Sequence, residues 1–504
     1  MHTRLVIALP VLVGALTLAG AAATATSADK PKGDQRATEL AYARDTYRSF
    51  EMMLYPETGL PADNVSAAGV RSRFTSPTNI AAYMWSTVAA RDLGIITHGD
   101  ARERLAQTLE TLAHLEHHQP SGQFYNWYDP QTGQKLTTWP VDGSTVTPFL
   151  SSVDNGWLAV GLKIVREAVP QLRNEADAIL DQMDFGFYYD PQQGLLRGGF
   201  WDTAPSGCSI PGNYRNRGPQ VWYTCHHYGS LNTEPRIASY WGITRGQVPG
   251  THYYKMWRTF PNTCDWSWQE MRPEGVTRTY LGVDVFEGHY TYRGLNIVPS
   301  WGGSMFEALM VPLFVPEEEW APQSWGVNHP LYVRGQIEHG LNEARYGYWG
   351  FSPSNNPDGG YREYGVDPMG LDPAGYTSDQ ERTTVDYGFE PCRPGAPPPA
   401  AYGEGVVTPH ASFLALDFDR DAALANLAAL RRNFDVYGAG GFYDAVEVRS
   451  GTVSRYYLAL DQGMIMAALA NELESNRLQD YFAKGEVERA VKPVIAPEEF
   501  TAGG

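Results

Sequence analysis

Thr75-Ser76-Pro77-Thr78-Asn79-Ile80-Ala81-Ala82-Tyr83-Met84-Trp85-Ser86-Thr87-Val88-Ala89-Ala90-Arg91-Asp92-Leu93 decides the architecture. Its apolar positions predict a helix over 78–93, and Thr75 to Thr78 supply the hydroxyls and the proline that start one. Segments of the same kind recur on both sides. Helices are predicted over 34–55, 99–117, 153–168, 170–184, 234–244, 251–258, 303–314, 327–343, 408–416, 420–433 and 459–475. Between them, Phe187-Tyr188-Tyr189-Asp190-Pro191 and Gly194 to Phe200 read as a hairpin or turn-rich excursion. Strands and helices do not alternate, so a parallel sheet is not expected. A long series of helices joined by short hairpins predicts an all-α fold, an (α/α) barrel with inner and outer layers. Function would then sit in the long loops of one rim.

The chain has no strict repeat and no linker that would divide it. The expectation is one catalytic domain over 29–490, followed by a frayed tail over 491–504. Residues 352–407 are rich in Pro and Gly, with a proline cluster from Pro394 to Pro399, and a loop that long inside a domain points to function. Residues 1–28 read as a signal peptide: Arg4, an apolar run from Leu5 to Ala23, then small residues through Ala28. The alternative is a single membrane anchor, against which Pro10, Gly14 and the small-residue tail speak. A secreted protein is therefore expected, with no membrane contact after cleavage. Cys208, Cys225, Cys264 and Cys392 are an even set that suits export and disulfides. Cys208 with Cys225 is the simplest pairing, because both lie in one polar loop. No C-x2-C pair is present, which disfavours zinc.

The formal charge of −18 speaks against nucleic acid and anionic membrane surfaces as partners. Aromatic residues make up 12% of the chain, and many stand among polar ones, as in Phe124-Tyr125-Asn126-Trp127-Tyr128-Asp129. Rings beside Asp, Asn, Arg and Glu suit a sugar, whose C–H face stacks on the ring while its hydroxyls bond to the polar groups. There is no P-loop, dinucleotide fingerprint or nucleophile elbow, so no cofactor and no metal is implied.

A series of segments is more specific. In order they are Thr75–Ile80, Ala89–Gly94, Asn126–Asp129, Ser152–Leu158, Thr233–Tyr240, Ser300–Glu307, Trp349–Ser352, Thr408–Ala411, Gly440–Asp444 and Leu458–Gly463. Together they resemble the bacterial glucoamylase-like domain, whose relatives include endo-β-1,2-glucanases of glycoside hydrolase family 144 and the transglycosylase domain of cyclic β-1,2-glucan synthases. The resemblance runs from about residue 40 to 475. It implies an (α/α)6 barrel with long loops and small hairpins at one rim, and β-1,2-glucan as a typical substrate.

Glu234, just ahead of a predicted helix, resembles the family's general acid. Such an acid must hold its proton near neutral pH, which burial or a neighbouring carboxylate can arrange; otherwise Glu234 serves the helix dipole alone. Two roles are open to Asp461: activating water, or capping a helix or pairing with Arg455. Asp154 resembles an acidic position of the hydrolases, where it binds a sugar hydroxyl or assists the base. Asp444 is a substrate or structural contact. Glu307 opens a helix after Gly302-Gly303 and either caps it or touches substrate. Trp127, Trp157, Arg236, Tyr292, Arg293, Trp301, Trp349, Tyr361 and His410 complete the candidates for sugar contact. The synthase relatives carry a glutamate where this chain has Pro353, which disfavours a retaining transglycosylase and favours inversion with a water-activating base. The resulting expectation is a secreted hydrolase of β-1,2-glucan. The alternatives are the same chemistry on another exported polysaccharide, such as arabinan or galactan, and a carbohydrate-binding protein without catalysis.

Overall fold

The computed structural model describes residues 33–214, 218–265, 271–371, 388–392, 394–395 and 402–504. The expected signal peptide and parts of the 352–407 loop lie outside the described residues. In chain order the helices are α1 (Gly33–Met53), α2 (Pro77–Asp92), α3 (His98–His114), α4 (Ser152–Ala168), α5 (Arg173–Leu180), α6 (Arg236–Thr244), α7 (Met305–Leu309), α8 (Glu317–Trp320), α9 (Trp325–Ile337), α10 (Pro409–Leu414), α11 (Arg420–Asn433), α12 (Ala459–Glu474), α13 (Arg477–Ala483) and α14 (Glu486–Ile495). Helices α12, α2, α4 and α6 pack in succession, and α7, α10 and α12 close the ring. Each inner helix has an outer companion: α3 against α2, α5 against α4, α14 against α6, α9 against α7, α11 against α10 and α1 against α12. This is an (α/α)6 barrel.

Inner helices are covered on all sides, so their sequences are apolar or small all round; in α2 every residue from Pro77 to Arg91 is buried. Glycines let them touch. A Cβ on Gly161 would meet Ala81 at 2.9 Å, and one on Gly463 would meet the Ala82 methyl at 2.7 Å. Trp85, Trp157 and Phe314 fill the barrel centre, with ring centroids 4.9 to 6.1 Å apart.

The predicted helices form within a few residues of their expected ends, with three departures. The 251–258 segment is a 3-10 run over Gly250–Lys255. The 303–314 segment breaks after α7 into a 3-10 turn containing Pro312, which lacks an N–H to donate. Residues 338–343, the end of the segment expected as 327–343, are π-helical. Residues 491–504 differ from the expected frayed tail. They complete α14, bury Val491 and Ile495, and set Glu498 in a fully buried ion pair with Arg258. Distant partners supply that burial, and they are invisible in the local polarity of the segment.

Small antiparallel sheets decorate the barrel. Residues 199–201 pair with 150–151 and with 220–224, which pairs in turn with 209–213. The Cys208–Cys225 disulfide ties this sheet, as the simplest pairing had it. A second disulfide joins Cys264 to Cys392. Residues 274–297 form a three-stranded meander with register Glu274↔His289 to Tyr280↔Val283 and Tyr290↔Ile297. Among the described residues no helix is long and apolar enough to cross a membrane.

Candidate active site

The N-terminal ends of α2, α4, α7 and α12 and the loop before α6 converge on a cleft of about 1090 Å³. Each helix start brings polar side chains with it. Ser76 caps α2 by accepting the Asn79 N–H at 3.2 Å, and Ser151 caps α4 by accepting that of Asp154 at 3.2 Å. Ser304 caps α7 by accepting the Glu307 N–H at 3.1 Å.

Glu234 lies in the cleft wall immediately ahead of α6. The indole of Trp157, buried in the barrel centre, donates to Glu234 Oε2. The Glu234 backbone N–H donates to Glu307 Oε2 at 2.9 Å, and the Thr233 hydroxyl donates to the same oxygen at 2.5 Å. Burial first, and then the charge of Glu307, push the Glu234 carboxyl well above the usual range. Burial raises Glu307 as well, but two donors stabilise its ionised form. Glu234 is thus the partner that keeps its proton, as a general acid must.

Arg236 holds this wall in place from behind. Fully buried, it donates to the carbonyls of Thr233 at 2.9 Å, Glu307 at 3.1 Å and Ala308 at 2.8 Å, so it joins the loop before α6 to α7. Its remaining donors meet both oxygens of Glu317 at 2.8 and 2.9 Å. Tyr240 and His329 also bond to Glu317, and the Arg236 charge holds that carboxyl down at about 2 against the penalty of burial.

At the start of the neighbouring helix α4, Asp154 accepts from the Thr78 hydroxyl at 2.6 Å. Asp63 accepts from the side-chain amides of Asn79 at 2.8 Å and Asn64 at 2.9 Å. Burial raises both carboxyls. Asp461, in the first turn of α12, is only 2% exposed and is not itself in the lining, whereas Leu458 and Leu460 are. It lies close enough to the buried Asp444 for each carboxyl to act on the other, and two such carboxyls do not both ionise, so one of them carries a proton. Burial pushes Asp461 up to about 7 and, together with the charge of Asp461, drives Asp444 higher still, so the proton belongs to Asp444. His410 Nδ1 stands 3.3 Å from Asp461 Oδ2 and 2.8 Å from the Thr408 hydroxyl, while Nε2 faces the Ser352 hydroxyl at 2.9 Å. Burial lowers this imidazole to about 4, leaving it neutral. Tyr361, half exposed, lines the cleft.

Of the residues singled out from sequence, Trp127, Asp154, Glu234, Trp301, Glu307 and Tyr361 line the cleft. Trp157, His410, Asp444 and Asp461 support it from beneath. Four candidates for sugar contact lie elsewhere. Arg236 faces away from the cleft toward α8 and α9, because Glu317 and three carbonyls absorb its donors. Tyr292 is buried in the meander, with its hydroxyl on Glu343. Arg293 occupies the meander's turn at φ 49° and pairs with Glu338 at 3.4 Å. Trp349 is packed in the core against α11, its backbone bonded to Asn426. The alternative roles for Asp461 also fall away: the α12 N-cap is Leu458, and Arg455 pairs with Asp435 at 2.5 Å. Sequence reasoning missed Asp63, Glu363 and Trp139, which also line the cleft. Trp139 meets Phe74 and Trp127 with centroids 4.5 and 5.3 Å away. Glu363 had a visible signal, two residues after Tyr361 in a polar aromatic stretch; Asp63 had none.

Comparison with known proteins finds the following likenesses in sequence and fold. Residues 271–486 match the family model "Glycoamylase: Putative glucoamylase", and residues 41–193 match "Protein of unknown function (DUF3131)". The chain is 28% identical over 365 residues to the cyclic beta-(1,2)-glucan synthase NdvB of Rhizobium meliloti, a match spanning 70% of this chain and 10% of that protein. An endo-beta-1,2-glucanase from Chitinophaga pinensis superposes with a TM-score of 0.62 at 15% identity, over 92% of this chain and 98% of that one. A beta-1,2-glucanase from Parabacteroides distasonis superposes with a TM-score of 0.64 at 15% identity, over 93% of this chain and 60% of that one. The likeness to these structures establishes the fold, and the sequence matches agree with the glucoamylase-like resemblance read from the motifs.

Proposed function

We propose that the protein is a secreted glycoside hydrolase that cleaves β-1,2-glucan internally. Glu234 protonates the leaving oxygen, and Asp461, with Asp154, takes up the proton of the attacking water, with inversion at the anomeric carbon. The observation that carries this reading is the placement of Glu234: a cleft carboxyl whose backbone N–H is bonded to Glu307, with the Asp154 carboxyl at the start of α4 in the same lining and Asp461 buried in the first turn of α12. Solved proteins of the same fold are β-1,2-glucanases, and the curated relative makes a β-1,2-glucan. Pro353 in place of the synthase-type glutamate supports water as the acceptor. The apolar run ahead of residue 29 and the two disulfides support export.

The test is to incubate the mature protein and its Glu234→Gln variant with linear β-1,2-, β-1,3- and α-linked glucans, arabinan and galactan, and to chromatograph the products. Short β-1,2 oligosaccharides from the parent alone are expected. A variant as active as the parent removes Glu234 from catalysis. Cleavage of arabinan or galactan in place of glucan changes the substrate, and binding without cleavage makes the protein a lectin.

A further inference from the structure

We infer that the cleft is a charge filter: it admits uncharged glycan chains and turns away chains that carry anionic substituents. The inference rests on the proposed reading that the cleft holds glycan. Asp63, Asp154 and Glu307 line it beside the protonated Glu234, and its described lining contains no lysine or arginine. Two arginines beside lining residues are committed elsewhere: Arg236 to Glu317, and Arg197, which pairs with His227 across its strand, to Asp190 at 2.6 Å. Histidine does not make up the deficit. His227 is bonded to Asp190 at 3.0 Å, and partial desolvation and the neighbouring His227 both lower the proton affinity of His226.

Helix N-termini are the other common source of anion binding; those of α2, α4 and α7 are capped by side chains, and that of α12, which has no side-chain cap, carries Asp461 in its first turn. Ser76, Ser151 and Ser304 accept N–H groups of α2, α4 and α7, and Glu307 accepts the N–H of Glu234 ahead of α6. An anion entering the cleft would shed its water, gain no cation and meet like charges in a medium that screens them poorly. Specificity would therefore come from repulsion as well as from fit. The same deficit of cations disfavours inorganic phosphate as an attacking nucleophile.

The experiment compares three forms of one β-1,2-glucan: plain, acetylated, and succinylated to the same degree. Acetyl and succinyl both add bulk, but only succinyl adds charge. Turnover is followed with the parent enzyme and binding with Glu234→Gln by calorimetry, so the comparison does not depend on cleavage. The expected result is a kcat/KM and an affinity at least about tenfold lower for the succinylated chain than for the acetylated one. Asp63→Asn, which removes one cleft charge, should narrow that ratio about threefold or more. Equal handling of the acetylated and succinylated chains overturns the filter, as does a ratio that Asp63→Asn leaves unmoved. If the plain chain binds but is not cut, the hydrolase reading fails while the filter is still judged by binding. If the plain chain does not bind at all, the substrate reading fails and takes the filter with it.

Discussion

Replacing Glu307 by Gln separates its charge from its hydrogen bonds. The amide oxygen can still accept from the Thr233 hydroxyl and the Glu234 N–H, which now reach Oε2 at 2.5 and 2.9 Å. What disappears is the largest charge acting on the Glu234 carboxyl. A like charge at contact range raises a neighbouring carboxyl by about 1–3 pH units, each unit corresponding to about 1.4 kcal/mol. A general acid is active while protonated, so Glu234 governs the limb on which the rate falls with rising pH. In Glu307→Gln that alkaline limb should move about 1–3 pH units toward acid, with KM for β-1,2-glucan little changed. The assay is kcat/KM from pH 4 to 9 for parent and variant, with a thermal melt to confirm folding. An alkaline limb that stays in place while KM rises would refute the reasoning and make Glu307 a direct sugar contact.

Trp157→Phe should act in the opposite sense. The indole stabilises the charged form of Glu234, so its loss should move the alkaline limb upward and reduce kcat, readable in the same profile. Glu317→Gln leaves Arg236 fully buried without a counter-charge, at a cost of about 3–5 kcal/mol; differential scanning fluorimetry should show a larger drop in melting temperature than for Asp63→Asn. Stability should also fall as pH rises from about 5 to 8. Asp461 and Asp444 have raised affinities in the folded state, so their contribution is complete below the unfolded carboxyl range and is lost as pH climbs through about 7. Glu317 has the reverse sign and weakens the fold only as pH drops below the ordinary carboxyl range toward about 2. A melting temperature flat between pH 5 and 8 would count against this account.

The barrel was legible because its helices are long and carry their own start signals. Ser76-Pro77 marks α2 in the sequence, and Ser76 caps it in the structure. The short elements were not: α8, α13 and α14 owe their burial to distant contacts, and the 274–297 meander lacks strong alternation. Site residues divide along the same line. Glu234 and Asp154 stand at helix starts, where sequence position fixes direction. Arg236 was read as a sugar ligand because it is charged and two residues from the acid. In a helix an offset of two residues turns the side chain to another face, and there Glu317, 81 residues away, claims it. Asp63 belongs to no helix, and only the fold brings the Asn79 amide to it.

The carboxyl pair beneath the floor can show which of its members handles water. Asp444 Oδ2 accepts the Asn355 N–H at 2.5 Å, so the proton rests on its other oxygen. An asparagine at 444 reproduces that arrangement, with its Oδ1 toward Asn355 and its uncharged NH2 in place of the protonated oxygen. Asp444→Asn should therefore keep most of the activity. It should also gain stability at alkaline pH, since a buried group that resists ionisation is gone. Asparagine at 461 has no such equivalence, because it removes the carboxylate next to His410. Asp461→Asn should lose at least about a hundredfold in kcat with a folded melt. Equal losses in the two variants would mean that the pair serves as a single structural unit and that Asp154 alone acts on water. Full activity in both would remove the pair from the reaction and leave Asp154 as the base.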